Sequence, residues 1–146
     1  MFASSSEYIL KKSILDSKSN SNLRVIKIGC ELEFFLFGDY DETFIDTLKT
    51  ILIDKFNIVY ELKKEQGDGQ YEVNIRETED LNYLALTISH IRDFIIQYCG
   101  NFNVKADFHA KPIKDDCGSA MQFNISIHEE DINLFFEFDN KNYKNL

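Results

Sequence analysis

A chain of 146 residues fits a single domain, and a composition 44% hydrophobic and 14% aromatic is that of a globular protein able to bury a core without staples. A net charge of −9, with no basic run, excludes the electrostatic footprint of a nucleic-acid or anionic-membrane binder and favours cations as partners. No stretch approaches the ~20 apolar residues of a membrane span, Met1–Glu7 lacks the apolar core of a signal peptide, and three cysteines without CxxC spacing read as free thiols, which together predict a cytoplasmic protein.

Residues 1–6 read as a flexible tail ahead of one domain over residues 7–146. Ile9, Leu10, Ile14 and Leu15 recur at helical spacing over Glu7–Ser17, and Lys18–Asn22 is a polar linker. Leu23–Phe37 is apolar enough for a long strand. Phe44, Ile45, Leu48, Ile51 and Leu52 form one stripe of a helix over Glu42–Lys55. Ile58–Lys64 and Gln70–Arg76 alternate as strands, separated by a turn at Gly67-Asp68-Gly69, where glycine tolerates positive φ. Thr78 is the expected N-cap of a long amphipathic helix carrying Leu81, Leu84, Ile88, Ile91, Ile95 and Tyr98, ended by Gly100. Val104–His109 and Ser119–His128 are strands joined by the polar loop Lys111–Gly118, and Ile132–Phe138 is a further apolar piece. This order predicts an α+β fold, a mainly antiparallel sheet with helices on one face.

The opposite face carries the chemistry. Alternation places Glu31 and Glu33 on one side of their strand. The same rule groups Glu61, Lys63 and Glu65, then Gln70, Glu72 and Asn74, then Gln122, Asn124 and Ser126. The result is an open polar face rich in carboxylates and amides. Two carboxylates ~4 Å apart at an effective dielectric near 20 repel by about 4 kcal/mol, so a core strand keeps them only if a cation, an arginine or a shared proton relieves the charge. Hard divalent ions that take oxygen ligands fit best. His90, His109 and His128 read as solvated residues without a special role, Phe34-Phe35-Phe37 and Phe135-Phe136-Phe138 as core, and the Gly67–Gly69 segment as a turn rather than a phosphate loop.

These stretches resemble the catalytic domain of glutamine synthetase over residues 7–138. Gly29-Cys30-Glu31-Leu32-Glu33-Phe34-Phe35-Leu36-Phe37 is similar to that family's first metal-binding strand, and Glu65 with Gly69-Gln70-Tyr71-Glu72 to its second carboxylate pair. Ala106-Asp107-Phe108-His109-Ala110-Lys111-Pro112 followed by Gly118-Ser119-Ala120-Met121-Gln122-Phe123-Asn124-Ile125-Ser126 is similar to its strand-loop-strand near the substrate. The resemblance implies ATP-dependent glutamate–ammonia ligase chemistry. Glu33, Glu65 and Glu72 would then hold one Mg²⁺ or Mn²⁺, with Glu31 belonging to a second ion nearer ATP. Gly118 would contact a glutamate-like substrate, and Asn124 and Ser126 the nucleotide.

The chain also departs from the family pattern. Gln122 stands where the family has a histidine ligand to the second metal, Cys117 replaces an asparagine before the substrate glycine, and Ala120 replaces a glycine. Arg24, Arg76 and Arg92 match none of the arginines of the family's C-terminal half, which this sequence lacks. The expectation is a truncated, degenerate catalytic domain that lacks complete ligase activity alone, with no residue assigned a catalytic role. It would keep one metal site, with the second metal and ATP weakened. The alternatives are a non-catalytic interaction or regulatory module, or one half of a split ligase. Accordingly the expected partners are a glutamate-like small molecule, a second copy of the chain or a complementary C-terminal fragment.

Overall fold

The computed structural model describes residues 24–129 and 132–135. The helix expected over Glu7–Ser17, the N-terminal tail and the part of the last apolar piece beyond Phe135 lie outside the described residues. The chain forms two compact units, a larger one over Ile28–Asn124 and a smaller one that combines Met1–Lys27 with Ile125–Leu146.

The larger unit is built on β1 (Arg24–Phe37), which begins just before it and crosses it. α1 (Glu42–Lys55) follows, then the hairpin of β2 (Val59–Lys64) and β3 (Gln70–Thr78). α2 (Leu81–Gly100), the short β4 (Lys105–Asp107) and the start of β5 (Met121–Glu129) complete it. The strand order is β2-β3-β1-β5, with β4 pairing the end of β1. The β2–β3, β3–β1 and β1–β4 ladders are all antiparallel. In the smaller unit β5 runs on and pairs antiparallel with β6 (Ile132–Asn133) through His128↔Asn133 and Glu129↔Ile132.

Alternation decides which side of the sheet is dry. Cys30, Leu32, Phe34 and Leu36 of β1 join Tyr71, Val73 and Ile75 of β3 in one core, and Val59 and Leu62 of β2 complete the layer. Leu48 and Leu52 of α1 and Leu84, Ile88, Ile91, Ile95 and Cys99 of α2 belong to the same cluster, so both helices cover one sheet face. Burying each such aliphatic side chain contributes about 1.5–3 kcal/mol.

The helix starts follow capping chemistry. Asp41 accepts from the Phe44 N–H at 2.9 Å, with Glu42 in the first turn and Lys55 in the last, each opposite the sign of the nearby helix end. For α2 the cap is Asp80, which accepts from the Tyr83 N–H at 2.9 Å, rather than Thr78. Thr78 stays in β3 and its hydroxyl accepts from the Asp80 N–H at 3.2 Å, so it braces the cap instead of being it. Nor does Gly100 supply the left-handed stop. It closes the helix, Asn101 is still right-handed, and the positive φ of 57° falls on Asn103. The strand expected over Val104–His109 shrinks to three residues, because the side chain and N–H of His109 turn back onto Asp107.

Candidate functional site

The ladder register sets the carboxylate face. On β3, Glu72 lies directly between Glu33 of β1 and Lys63 of β2. One step along, Asn74 lies between Glu31 and Glu61, and in the other direction Gln70 lies opposite Phe35. Like charges in direct cross-strand register are unfavourable. That pairing falls on Glu33 and Glu72, while Glu31 faces an amide.

Each carboxylate meets a proton donor. Glu33 Oε2 accepts from Gln70 Nε2 at 3.0 Å and from the Ala120 N–H at 2.9 Å, and its Oε1 lies 3.4 Å from Gln122 Nε2. Glu31 Oε1 accepts from Asn124 Nδ2 at 2.8 Å, and Glu61 Oε2 from Asn74 Nδ2 at 3.2 Å. Lys63 Nζ lies 2.8 Å from Glu72 Oε1 and 3.3 Å from Glu65 Oε1. These carboxylates, Glu72 first and then Glu65, hold the Lys63 ammonium well above the usual lysine range. The Glu72 side chain is 3% exposed and its Oε1, buried, has only this ionic contact, with no hydrogen bond of good geometry. A buried carboxylate oxygen in that condition is the feature a hard cation would satisfy.

The face is not open water at its centre. Gln70, Glu72 and Asn74 are all buried, a correction to the exposed polar row expected from alternation alone. Phe35 is the second correction. It is fully buried, yet it points to the carboxylate side and lies outside the main core cluster, as does half-buried Phe37, so of the expected Phe34-Phe35-Phe37 group only Phe34 belongs to the core under the helices. A Cβ at Gly67 would come within 2.8 Å of the Phe35 ring, so the turn before Gln70 closes tightly over it. Gln70 ties the parts together. Its amide NH₂ reaches both Glu33 and the Gly118 carbonyl at 2.9 Å, and its oxygen accepts from the Gly67 N–H at 3.0 Å.

Gly118 therefore sits beside the Glu33 group, with its carbonyl engaged by Gln70. A Cβ there would come within 2.9 Å of the Ala110 carbonyl oxygen. The neighbouring Ser119 hydroxyl is buried without a hydrogen-bond partner. Asn124 closes the larger unit on Glu31, whereas Ser126 belongs to the smaller unit and lies 3.0 Å from His128 Nε2. Among the described residues no group of three or more His, Cys, Asp or Glu side chains is close enough to hold a metal ion as it stands. Of the three expected ligands, Glu33 and Glu72 are cross-strand partners, and Lys63 bridges Glu72 to Glu65. A cleft of about 730 Å³ lined by Asp39, Tyr40, Asp41, Lys64 and Asp68 includes none of these glutamates.

Lys63 and the Lys105–Asp107–His109 group become visible only in the folded chain. From sequence Lys63 reads only as a member of a polar row, since pairing with Glu72 needs the hairpin register. In the Lys105–Asp107–His109 group, buried Asp107 accepts from Lys105 Nζ at 2.7 Å and meets His109 Nδ1 at 2.5 Å. Lys105 first, then the His109 N–H, holds the Asp107 carboxyl well below the usual carboxylate range. The sequence signal was the D-x-H spacing on a short strand.

A family model described as "Glutamine synthetase, catalytic domain" matches residues 39–145. The fold is similar to a crystal structure described as a novel glutamine synthase homolog, at a TM-score of 0.70 and 16% identity, over 85% of this chain and 32% of that one. It is similar to Plasmodium falciparum glutamine synthetase at a TM-score of 0.69 and 21% identity, over 87% and 34% of the two chains. An ADP complex of GmaS matches at a TM-score of 0.67 and 20% identity, over 85% and 34%. The chain spans about a third of the length of these solved structures. No curated protein matches it in sequence. No helix among the described residues is long and apolar enough to cross a membrane.

Proposed function

The chain belongs to the glutamine synthetase catalytic-domain family, and from that premise we propose that it supplies the carboxylate side of a divalent-cation site, with Glu33, Glu65 and Glu72 as the oxygen donors. The observation that carries this reading is Glu72, a buried carboxylate in direct cross-strand register with Glu33 whose Oε1 is met by one ammonium, Lys63 Nζ at 2.8 Å. The donor set is all oxygen and all anionic, which suits Mg²⁺ or Mn²⁺ and excludes soft metals that prefer thiolate. Such an ion, when bound, neutralises phosphate charge and polarises a carbonyl.

The protein's own residues do the positioning. Glu33 holds the Ala120 N–H and, through Gln70, the Gly118 carbonyl, so the Gly118–Ala120 segment is fixed against the metal strand. In this reading that segment meets a glutamate-like amino acid, with the unpartnered Ser119 hydroxyl beside it. Glu31 with Asn124 faces a second, weaker cation position, because a half-turn of the Asn124 or Gln122 amide would present oxygen instead of NH₂. Nucleotide contact by Asn124 and Ser126, and complete ligase activity with a second chain, are extensions of the same reading.

A second reading is favoured by one observation: Glu31, Glu33, Glu61, Glu65 and Glu72 each already face an internal donor. A face satisfied in that way would stand without any ion, as in a non-catalytic module. Melting in excess chelator and in Mn²⁺ separates the two. Mn²⁺ at ~100 times its dissociation constant adds about 2.7 kcal/mol, or roughly 8 °C for a chain of this size. No shift, or an equal shift in a Glu33→Gln, Glu72→Gln double variant, overturns the metal reading in favour of the module.

A further inference from the structure

We propose that Lys63 is an intramolecular stand-in for the cation: its ammonium bridges Glu65 and Glu72 when no metal is bound, and a divalent ion must displace it to enter. The inference rests on the cation-site reading above and specifies how that site is regulated. β2 and β3 are in a register that puts Lys63 directly across from Glu72, and Glu65, just past the end of β2, reaches the same ammonium. One ammonium therefore contacts both carboxylates, at 2.8 and 3.3 Å.

Three properties make the bridge exchangeable rather than permanent. The Lys63 side chain is 44% exposed, so its head can move to water without burying a charge. Glu72 Oε1 is buried and meets its cation, Lys63 Nζ, from the exposed side of the strand at 2.8 Å, so an entering ion competes for that one contact. Glu33, the third carboxylate, is held by Gln70 and Ala120 rather than by Lys63, so it stays in place when the lysine leaves. Without Lys63, Glu72 would face Glu33 across the β1–β3 ladder with no ammonium beside it.

Lys63 thus sets an affinity threshold. An entering divalent ion must overcome repulsion from a fixed positive charge and break its two contacts, so the site loads only at high ion concentration. The test compares Mn²⁺ binding to wild type and Lys63→Met by titrating the electron paramagnetic resonance signal of free Mn²⁺, with melting in chelator measured alongside. Lys63→Met is expected to bind Mn²⁺ about tenfold more tightly and to melt lower than wild type in chelator, with the deficit removed by Mn²⁺. Wild-type binding with no gain, or with a loss, in Lys63→Met overturns the stand-in role and leaves the cation site intact. Absence of binding in both proteins overturns both readings. Should Lys63→Met fail to fold, Lys63→Gln keeps a polar head on the strand and carries the same expectations.

Discussion

Glu33→Gln separates a carboxylate kept for structure from one kept for an ion. The substitution preserves shape and removes one charge. On the unfavourable side, Gln70 Nε2 and the Ala120 N–H at 3.0 and 2.9 Å lose a charged acceptor. The difference between charged and neutral acceptors is about 1 kcal/mol per bond, or roughly 2 kcal/mol for the two. On the favourable side, Glu33 and Glu72 are direct cross-strand partners, and removing one charge ends their repulsion. At ~5 Å, with an effective dielectric between 20 and 80 for a half-buried group, that relief is about 1–3 kcal/mol. The amide oxygen can take the Oε2 position and keep both bonds, and its NH₂ then meets Gln122, whose amide can turn to offer oxygen. The two sides nearly cancel, so Glu33→Gln in chelator is expected to change stability by less than about 1 kcal/mol, within roughly 4 °C of wild type. The Mn²⁺-dependent rise should nevertheless disappear. Scanning fluorimetry with and without chelator reads both effects. A loss of more than about 3 kcal/mol in chelator would show the carboxylate to be a structural acceptor for the Gly118–Ala120 segment, and an undiminished Mn²⁺ shift would remove Glu33 from the ligand set.

Other perturbations test the surroundings. Gly67→Ala would force a methyl to within 2.8 Å of the Phe35 ring and of Gln70 Oε1, and overpacking of this kind costs about 1–3 kcal/mol. A lower urea midpoint together with weaker Mn²⁺ binding is expected, because the same turn positions Glu65. Ile91→Ala empties a fully buried site beneath the sheet and should cost about 2–5 kcal/mol in urea melts while leaving Mn²⁺ affinity unchanged. Asp107 has a folded pKa below its unfolded value, so the stability it contributes is complete above about pH 4 and drains as pH falls toward the folded value. Asp107→Asn should therefore flatten the acid limb of the stability curve below about pH 4. Burial, aided by Glu31 and Glu72, pushes the Cys30 thiol up to about 11, and burial pushes Cys99 up to about 11. At pH 8 a thiol reagent should label only half-buried Cys117 in the native protein, with Cys30 and Cys99 reacting on unfolding.

Much of the fold was readable because periodicity and burial agree within each element. The helix over Glu42–Lys55 has the bounds its apolar stripe predicted, and β2 and β3 begin within a residue of expectation. The misses cluster where a side chain competes with the backbone. Both Thr78 and Asp80 are capping residues, and only the path of the chain out of β3 decides that Asp80 faces the open N–H groups. His109 reads as part of an apolar-polar alternation, but its bond to Asp107 ends the strand early. Phe35 looks like core because it is core in every respect except the side of the sheet it occupies, and alternation from Glu33 already implied that side.

The site was legible as a set of residues and illegible as a set of pairs, and the difference has a physical cause. Alternation within a strand is local, so Glu31, Glu33, Lys63, Glu65 and Glu72 could be assigned to one face from sequence. Pairing depends on register, which the turn fixes. The Glu65 N–H donates to the Gln70 carbonyl at 2.9 Å and the Gln70 N–H to the Gly67 carbonyl at 3.1 Å, so the loop closes at one length only. A one-residue slip would send Glu72 to the helix side and bring Tyr71 onto the carboxylate face. Lys63 then could not reach it, and the anionic pair would be left for solvent to screen. The turn residues Gly67 and Gly69, which touch no proposed ion, therefore determine whether this face holds a lysine, a metal or neither. Gly69 adopts φ +76° with the Leu36 carbonyl oxygen 2.7 Å from where a Cβ would lie, so a side chain there must move β1 or shift the hairpin. Either change would alter the spacing between Glu33 and Glu72 before it altered the core.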